Sequence, residues 1–206
     1  MNEIYQTAIH EAGHAVAVLL DGGEIAVVTI IPDEKRESSG HIKSRAYDTT
    51  LRSKKGTGKS WYVDKTPIEP FCMLKLSGMI AEEIVSKRPC KKYDPDGVPM
   101  YRALVADDVQ QTFNFLDKVY NFMVPEPEHR SEIAKNKFID YFINYMLEKT
   151  RNRLTPHVDV IKDIAAALMT RKTLTGDQVK EIYYLYQTKK ISRNITMRRR
   201  ASKMCR

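Results

Sequence analysis

His10, Glu11 and His14 lie within "IHEAGHAVAVLLDGG", residues 9–23, at the spacing H-E-x-x-H. Successive residues of an α-helix advance by about 100°, so the two histidines stand roughly 40° apart around the axis and one turn apart along it. Their imidazoles can converge on one ion while Glu11 projects beside them. Zinc-assisted hydrolysis needs this arrangement. Two neutral ring nitrogens hold the metal, a third ligand arrives from elsewhere, and a water takes the open position. Zinc lowers the pKa of that water to roughly 7, and a nearby carboxylate can take its proton and pass it to a leaving amine. Glu11 is the candidate for that carboxylate.

The plainer alternative is a helix with two partly buried histidines that find backbone or water partners. The surroundings favour the metal. Both imidazoles sit among Ala and Val, where an unpaired ring nitrogen is costly. Gly13 occupies the same turn, although glycine costs roughly 1 kcal/mol there relative to alanine, and it lets another backbone or a ligand come close. A third ligand must lie downstream. The candidates are Glu82 and Glu83 in "SGMIAEEIV", Asp107 and Asp108 in "ALVADDVQQT", and His41, His129 and His157. Composition chooses none of them. Asp107-Asp108 stand out because the stretch around them, "YRALVADDV", is otherwise apolar, and a carboxylate there needs a partner.

The elements that would position these groups can be read along the chain. Asn2 can cap a helix running to about Leu20, stopped by Asp21-Gly22-Gly23. "EIAVVTIIP" reads as a strand, "DEKRESSG" as a polar turn, and "GHIKSR" as a returning partner in a small antiparallel sheet. Residues 46–66 read as a loop. A helix follows from Thr66-Pro67 through "IEPFCMLKLSGMIAEEIVSK", with Pro67 and Pro70 in its first turn. "RPCKKYDPDGVP" is another loop, and "MYRALVADDVQQTFNFLDKVYNFM" a further helix. Beyond "VPEPEH", helical spacing recurs in "SEIAKNKFIDYFINYMLEKTRNRL", in "TPHVDVIKDIAAALMTRK" and in "TGDQVKEIYYLYQTK", the last two each opening on a Thr cap. The fold class is α+β and mostly α-helical: the H-E-x-x-H helix with a small antiparallel sheet, then a C-terminal helical bundle. A catalytic portion over 1–123 and a helical portion over 124–188 form one domain, followed by a basic tail, 189–206.

At 206 residues the chain can bury a substantial core. Its apolar runs fall far short of the roughly 20 residues a membrane span needs, and the first one carries His10, Glu11 and His14, unlike a secretory signal. Cys72, Cys90 and Cys205 form no CxxC pair, which speaks for a reducing, cytoplasmic setting and against a thiolate zinc site. The net charge of +8 is local. Residues 189–206 hold eight Lys and Arg and no acid; with those set aside, 26 basic residues face 26 acidic ones. The tail reads as solvated and disordered; the alternatives are a contact for nucleic acid, for anionic lipid or for an acidic partner.

In order and content, "TAIHEAGHAVAVLL", "VTIIP" with "SGHI", "LSGMIAEEIV" and "ADDVQQT" resemble the peptidase domain of the FtsH family, and "LTPHVDVIKDIAAALMTRKTLTGDQVKEI" is similar to that family's closing helices. The resemblance spans roughly residues 5–188. Members are zinc proteases fused to an AAA ATPase and anchored in a membrane. It implies Zn²⁺ as cofactor, His10 and His14 as ligands, and Asp108 as the third, with Asp107 its close alternative. It also implies that Glu82 is a carboxylate supporting a zinc-bound histidine, and that "VTIIP" is the edge on which extended substrate pairs. The family assembles six-membered rings with its ATPase, so the resemblance also implies a hexamer.

The departures are specific. Neither an ATPase module nor a membrane helix precedes the peptidase, so the expectation is a stand-alone enzyme, served by a separate ATPase or adaptor if its polypeptide substrate is folded. "PMYRALVA" replaces the small, Gly-containing approach to the aspartate, the segment from Glu82 to Asp108 is long, and residues 46–66 look inserted. "KKGTGKSW" lacks the first glycine and the preceding strand of a phosphate-binding loop, and "YDPDGVP" lacks the alternating acids of a calcium loop. The expected activity is endoproteolysis of unfolded or flexible polypeptides. The rivals are a regulatory peptidase that cuts one partner, and a non-catalytic binding module on the same fold.

Overall fold

Asn2 starts the first helix: its side-chain oxygen accepts from the Ile4 amide at 3.0 Å. That helix, α1 (Glu3–Leu20), ends at Asp21 in a Schellman turn. Gly22 takes φ +70°, with Gly22 N–H bonded to Leu19 O at 3.1 Å and Gly23 N–H to Val18 O at 2.9 Å. A side chain at Gly22 would be strained there.

A computed structural model of the chain describes residues 2–32, 40–44, 68–89, 91–93, 99–101, 103–126 and 131–204. The expected turn over 33–39, the loop 46–66 with its phosphate-loop look-alike, residues 94–98, and His129 lie outside these. After α1 come β1 (Ile25–Thr29), β2 (His41–Ser44), α2 (Ile68–Ser86), a short antiparallel pair β3 (Lys91–Tyr93) and β4 (Pro99–Tyr101), α3 (Ala103–Met123) and α4 (Glu132–Leu154). A 3-10 turn at Thr155–His157 leads into α5 (Val158–Arg171), then β5 (Thr173–Thr175) and α6 (Gly176–Met204). This is the mostly helical α+β class that the sequence predicts.

Every residue of α1 from Thr7 to Val18 is buried. A helix buried all round must be enclosed by neighbours. Here α2 and α5 pack on its flanks and β1 and β2 lie across it. α2 in turn carries α3 and α4. Ile9, Leu76, Ile80, Leu116, Met146, Ile161, Ile164 and Leu168 are fully buried at these junctions, each contributing about 1.5–3 kcal/mol by burial. The α1–α2 crossing is close at Gly13, where a Cβ would fall 2.5 Å from Ala81 Cβ and 2.6 Å from the Ser77 carbonyl. Gly13 therefore admits another backbone, that of α2.

The sheet runs β2-β1-β5, antiparallel throughout. One sequence expectation is corrected here. β1, which holds Val28 and Thr29 of "VTIIP", is not an edge: Val27–Thr29 pair with β2 on one side and with Thr175–Thr173 on the other. β5 is three residues long, too short to show a period, and it occupies the side that the resemblance left open to substrate. Other elements differ in detail. Met100 and Tyr101 pair in β4 instead of opening α3. Thr155 does not cap α5, since its hydroxyl donates back to Arg151 O at 2.7 Å. Thr175 does cap α6: Gln178 N–H donates to Thr175 Oγ1 at 3.3 Å and Thr175 N–H to Gln178 Oε1 at 2.9 Å, a reciprocal capping box. The α6 backbone stays helical to Met204, so helix replaces the irregular tail expected from Lys189 onward; Lys, Arg, Met and Ala are good helix formers. Among the described residues, no helix is long and apolar enough to cross a membrane.

Candidate metal centre

Because α1 is enclosed, both its histidines need polar partners, and α2 supplies them. His10 Nδ1 lies 2.8 Å from Glu82 Oε1, and Glu82, fully buried, is also held by the Gln6 side-chain amide. His14 Nδ1 lies 2.8 Å from the Leu74 carbonyl and 3.0 Å from Ser77 Oγ. A carbonyl only accepts, so His14 carries its proton on Nδ1; the Ser77 hydroxyl donates to the same carbonyl at 2.6 Å. The contact with Glu82 Oε1 orients His10 Nδ1 the same way. Both rings then turn Nε2 toward each other, 3.0 Å apart, with centroids 4.6 Å apart and planes at 77°.

Asp108, in the second turn of α3, brings Oδ2 to 3.0 Å from His10 Nε2 and 2.9 Å from His14 Nε2. Among the described candidates it alone reaches both rings. Asp107 is exposed and accepts from Gln111 Nε2 at 2.6 Å. Glu83 pairs with Arg151 of α4. His41 stands at the head of β2, and His157 in the 3-10 turn beside Tyr183. Glu11 is buried, and its Oε2 has no hydrogen-bond partner among the described residues. Gly40, just before β2, lies over it: a Cβ there would meet Thr29 O at 2.8 Å and Glu11 Cγ at 3.1 Å.

Three atoms bearing lone pairs thus face one another at about 3 Å, which is repulsive unless a cation sits between them. In the metal-free protein that cation is a proton. Burial opposes charge on His10, but its bonds to Asp108 and Glu82 outweigh burial and raise it to about 10. Burial likewise opposes charge on Asp108, and the His14 and His10 rings overcome this and hold it well below the usual carboxylate range. Glu11 is pushed up, chiefly by burial.

The geometry also fits a metal. His10 Nε2, His14 Nε2 and Asp108 Oδ2, about 3 Å from one another, would together be able to hold one ion. Two imidazoles and a carboxylate suit zinc. Cys72 does not enter: it is fully buried in α2, and burial pushes its thiol up to about 12.

Four contributors escaped the sequence reading. Gly78 of α2 lies flat against His10, where a Cβ would fall 2.5 Å from Nε2. Ser77 and the Leu74 carbonyl orient His14. Lys75 Nζ donates to Asp108 Oδ1 at 3.2 Å. The small pair Ser77-Gly78, one turn before Ala81, was the signal available for the first two.

No protein-family model matches the chain. Over 194 residues it is 22% identical to the rice (Oryza sativa subsp. japonica) protein named ATP-dependent zinc metalloprotease FTSH 1, chloroplastic, a match covering 85% of this chain and 27% of that protein. Over 182 residues it is 25% identical to the Schistosoma mansoni protein named ATP-dependent zinc metalloprotease YME1 homolog, covering 84% of this chain and 25% of that one. The chain spans about a quarter of the length of these curated relatives. The similarity is distant, and both relatives are named as zinc metalloproteases.

Proposed function

We propose that the chain is a zinc-dependent endopeptidase acting on unfolded or flexible polypeptides. The observation that carries this reading is the meeting of His10 Nε2, His14 Nε2 and Asp108 Oδ2 beside a buried Glu11 whose Oε2 has no hydrogen-bond partner among the described residues. The distant similarity to proteins named as zinc metalloproteases supports it. His10, His14 and Asp108 would hold the ion. Zinc, when bound, supplies Lewis acidity and a water acidic enough to ionise near pH ~7.

The remaining chemistry belongs to the chain's own residues. Glu11 accepts the water's proton at Oε2 and returns it to the leaving amine. Glu82 keeps the His10 proton on Nδ1, and the Leu74 carbonyl does the same for His14, so both Nε2 lone pairs stay available. With β1 enclosed, β2 is an outer strand of the sheet among the described residues, and a Cβ added at Gly40, at its head, would fall 3.1 Å from Glu11 Cγ. An extended peptide can add there as a further strand. A folded protein cannot, which is the reason for proposing unfolded or flexible substrates, with a separate ATPase or adaptor delivering folded ones. On this reading residues 1–188 are the peptidase unit, and the basic stretch 189–206 is a contact for an acidic partner.

Glu11→Gln tests the assignment. The variant is expected to bind one equivalent of zinc like the parent and to lose cleavage of an unstructured test protein. Cleavage that persists in the zinc-loaded variant, or that survives chelation in the parent, overturns it. Cleavage confined to one partner protein would point to the regulatory rival.

A further inference from the structure

Lys75 stands on the face of α2 that supports the metal centre, yet neither the H-E-x-x-H pattern nor the downstream acids point to it. Lys75, Gly78 and Glu82 follow at i, i+3 and i+7, one stripe of the helix. Gly78 and Glu82 press on and hold His10. Leu74 and Ser77, on the adjoining positions, hold His14. Lys75 completes the set by holding Asp108, its Nζ 3.2 Å from Oδ1. A single helix thus restrains all three candidate ligands from behind.

The two oxygens of Asp108 are differently engaged. Oδ2 faces both imidazoles, at 3.0 and 2.9 Å. Oδ1 is turned to the ammonium. A carboxylate can bind a cation through one oxygen or both, and the second oxygen would take up coordination space that a water needs. An ammonium has three donors and no acceptor, so it cannot itself ligate the ion; it can only restrain the carboxylate. As a mere surface ion pair this contact would be worth little. Both side chains are largely buried, Asp108 more than Lys75, so the pair holds its geometry.

We propose that Lys75 is a positioning residue that pins Asp108 Oδ1, limits that ligand to Oδ2, and so reserves the open coordination position for water. The inference rests on the metal centre of the preceding section.

Cobalt(II) titration of the full chain tests it, because four-coordinate cobalt absorbs visible light more strongly than five- or six-coordinate cobalt. The parent is expected to take up one equivalent with strong absorption. Lys75→Met should take up the same equivalent with clearly weaker absorption, and its kcat on an unstructured polypeptide should fall about 10–100-fold, the range for residues that orient metal ligands. KM should stay unchanged. Lys75→Arg, which keeps a cationic donor, should restore both spectrum and kcat, and Lys75→Gln provides a second test of the loss. A Lys75→Met protein with one equivalent of cobalt and the parent's spectrum overturns the inference while leaving the metal centre standing. A parent chain that takes up no cobalt and no zinc overturns both.

Discussion

Replacing Gly78 by alanine separates the stability of the fold from the integrity of the proposed metal centre. The added methyl would lie 2.5 Å from His10 Nε2 and 2.6 Å from Cδ2 and Cε1. Carbon contacts are comfortable at about 3.5–4.0 Å, so the ring must retreat by about 1 Å. It has nowhere to slide along its own plane, because Nδ1 abuts the fully buried Glu82 and Nε2 faces His14 and Asp108. Metal–ligand distances tolerate only about 0.2 Å. Overpacking costs about 1–3 kcal/mol, and alanine regains about 1 kcal/mol of helix propensity over glycine. The net loss for the metal-free fold is then about 0–2 kcal/mol, a fall in Tm of at most about 8 °C. The metal suffers more. Disturbing even a group behind a ligand costs about 10–100-fold, so displacing the ligand itself should weaken zinc at least about 100-fold. Competition with a chromophoric chelator measures that affinity, and thermal unfolding of the metal-free protein measures the fold. A Gly78→Ala protein with parental zinc affinity would refute the reasoning.

Two other outcomes follow from the same geometry. Asp108→Asn should weaken zinc at least about tenfold, whereas Asp107→Asn, on an exposed side chain, should leave affinity unchanged; chelator competition on the pair decides between the neighbours. His157 is pushed below its ordinary value of 6.5 by burial, and by Lys190 and Arg153, so the unfolded chain takes up this proton first as the pH falls. The stability that depends on a neutral His157 is therefore complete above about pH 6.5 and is lost as the pH drops toward the lowered value. Comparing Tm at about pH 7.5 and about pH 5.5 should show a smaller acid loss in His157→Gln than in the parent, and equal losses would refute this.

Local rules carried the front of the chain. The Asn2 cap, the glycine stop after α1 and the i, i+4 histidines each depend on near neighbours, and each could be read from a few consecutive letters. The pairing of β1 with β2 was legible for the same reason, since the two strands are near neighbours in sequence. β5 was not: "TLT" has no period, and it forms a strand only because Val27–Thr29 offer it a partner. The contributors on α2 were hidden differently. Lys75 and Gly78 read as ordinary helix residues until α1 and α3 are laid against them. The acids divided on packing: Glu83 turns to Arg151 of α4 while Glu82, one residue earlier, faces His10. A 100° step around the axis separates those fates, and no composition shows it.

The clasp on β1 has a bearing on how the molecule is made. Thr29 and Thr173 share a hydroxyl contact at 2.8 Å although 144 residues separate them. The histidine helix and β1 leave the ribosome well before β5, so the second flank of β1 stays uncovered until more than a hundred further residues have been made. Contacts so distant in sequence form slowly, and a nascent strand with an open flank invites pairing with other chains. During synthesis the hazard for this protein is thus a sticky half-finished sheet, which lasts until the three residues of β5 arrive to close it.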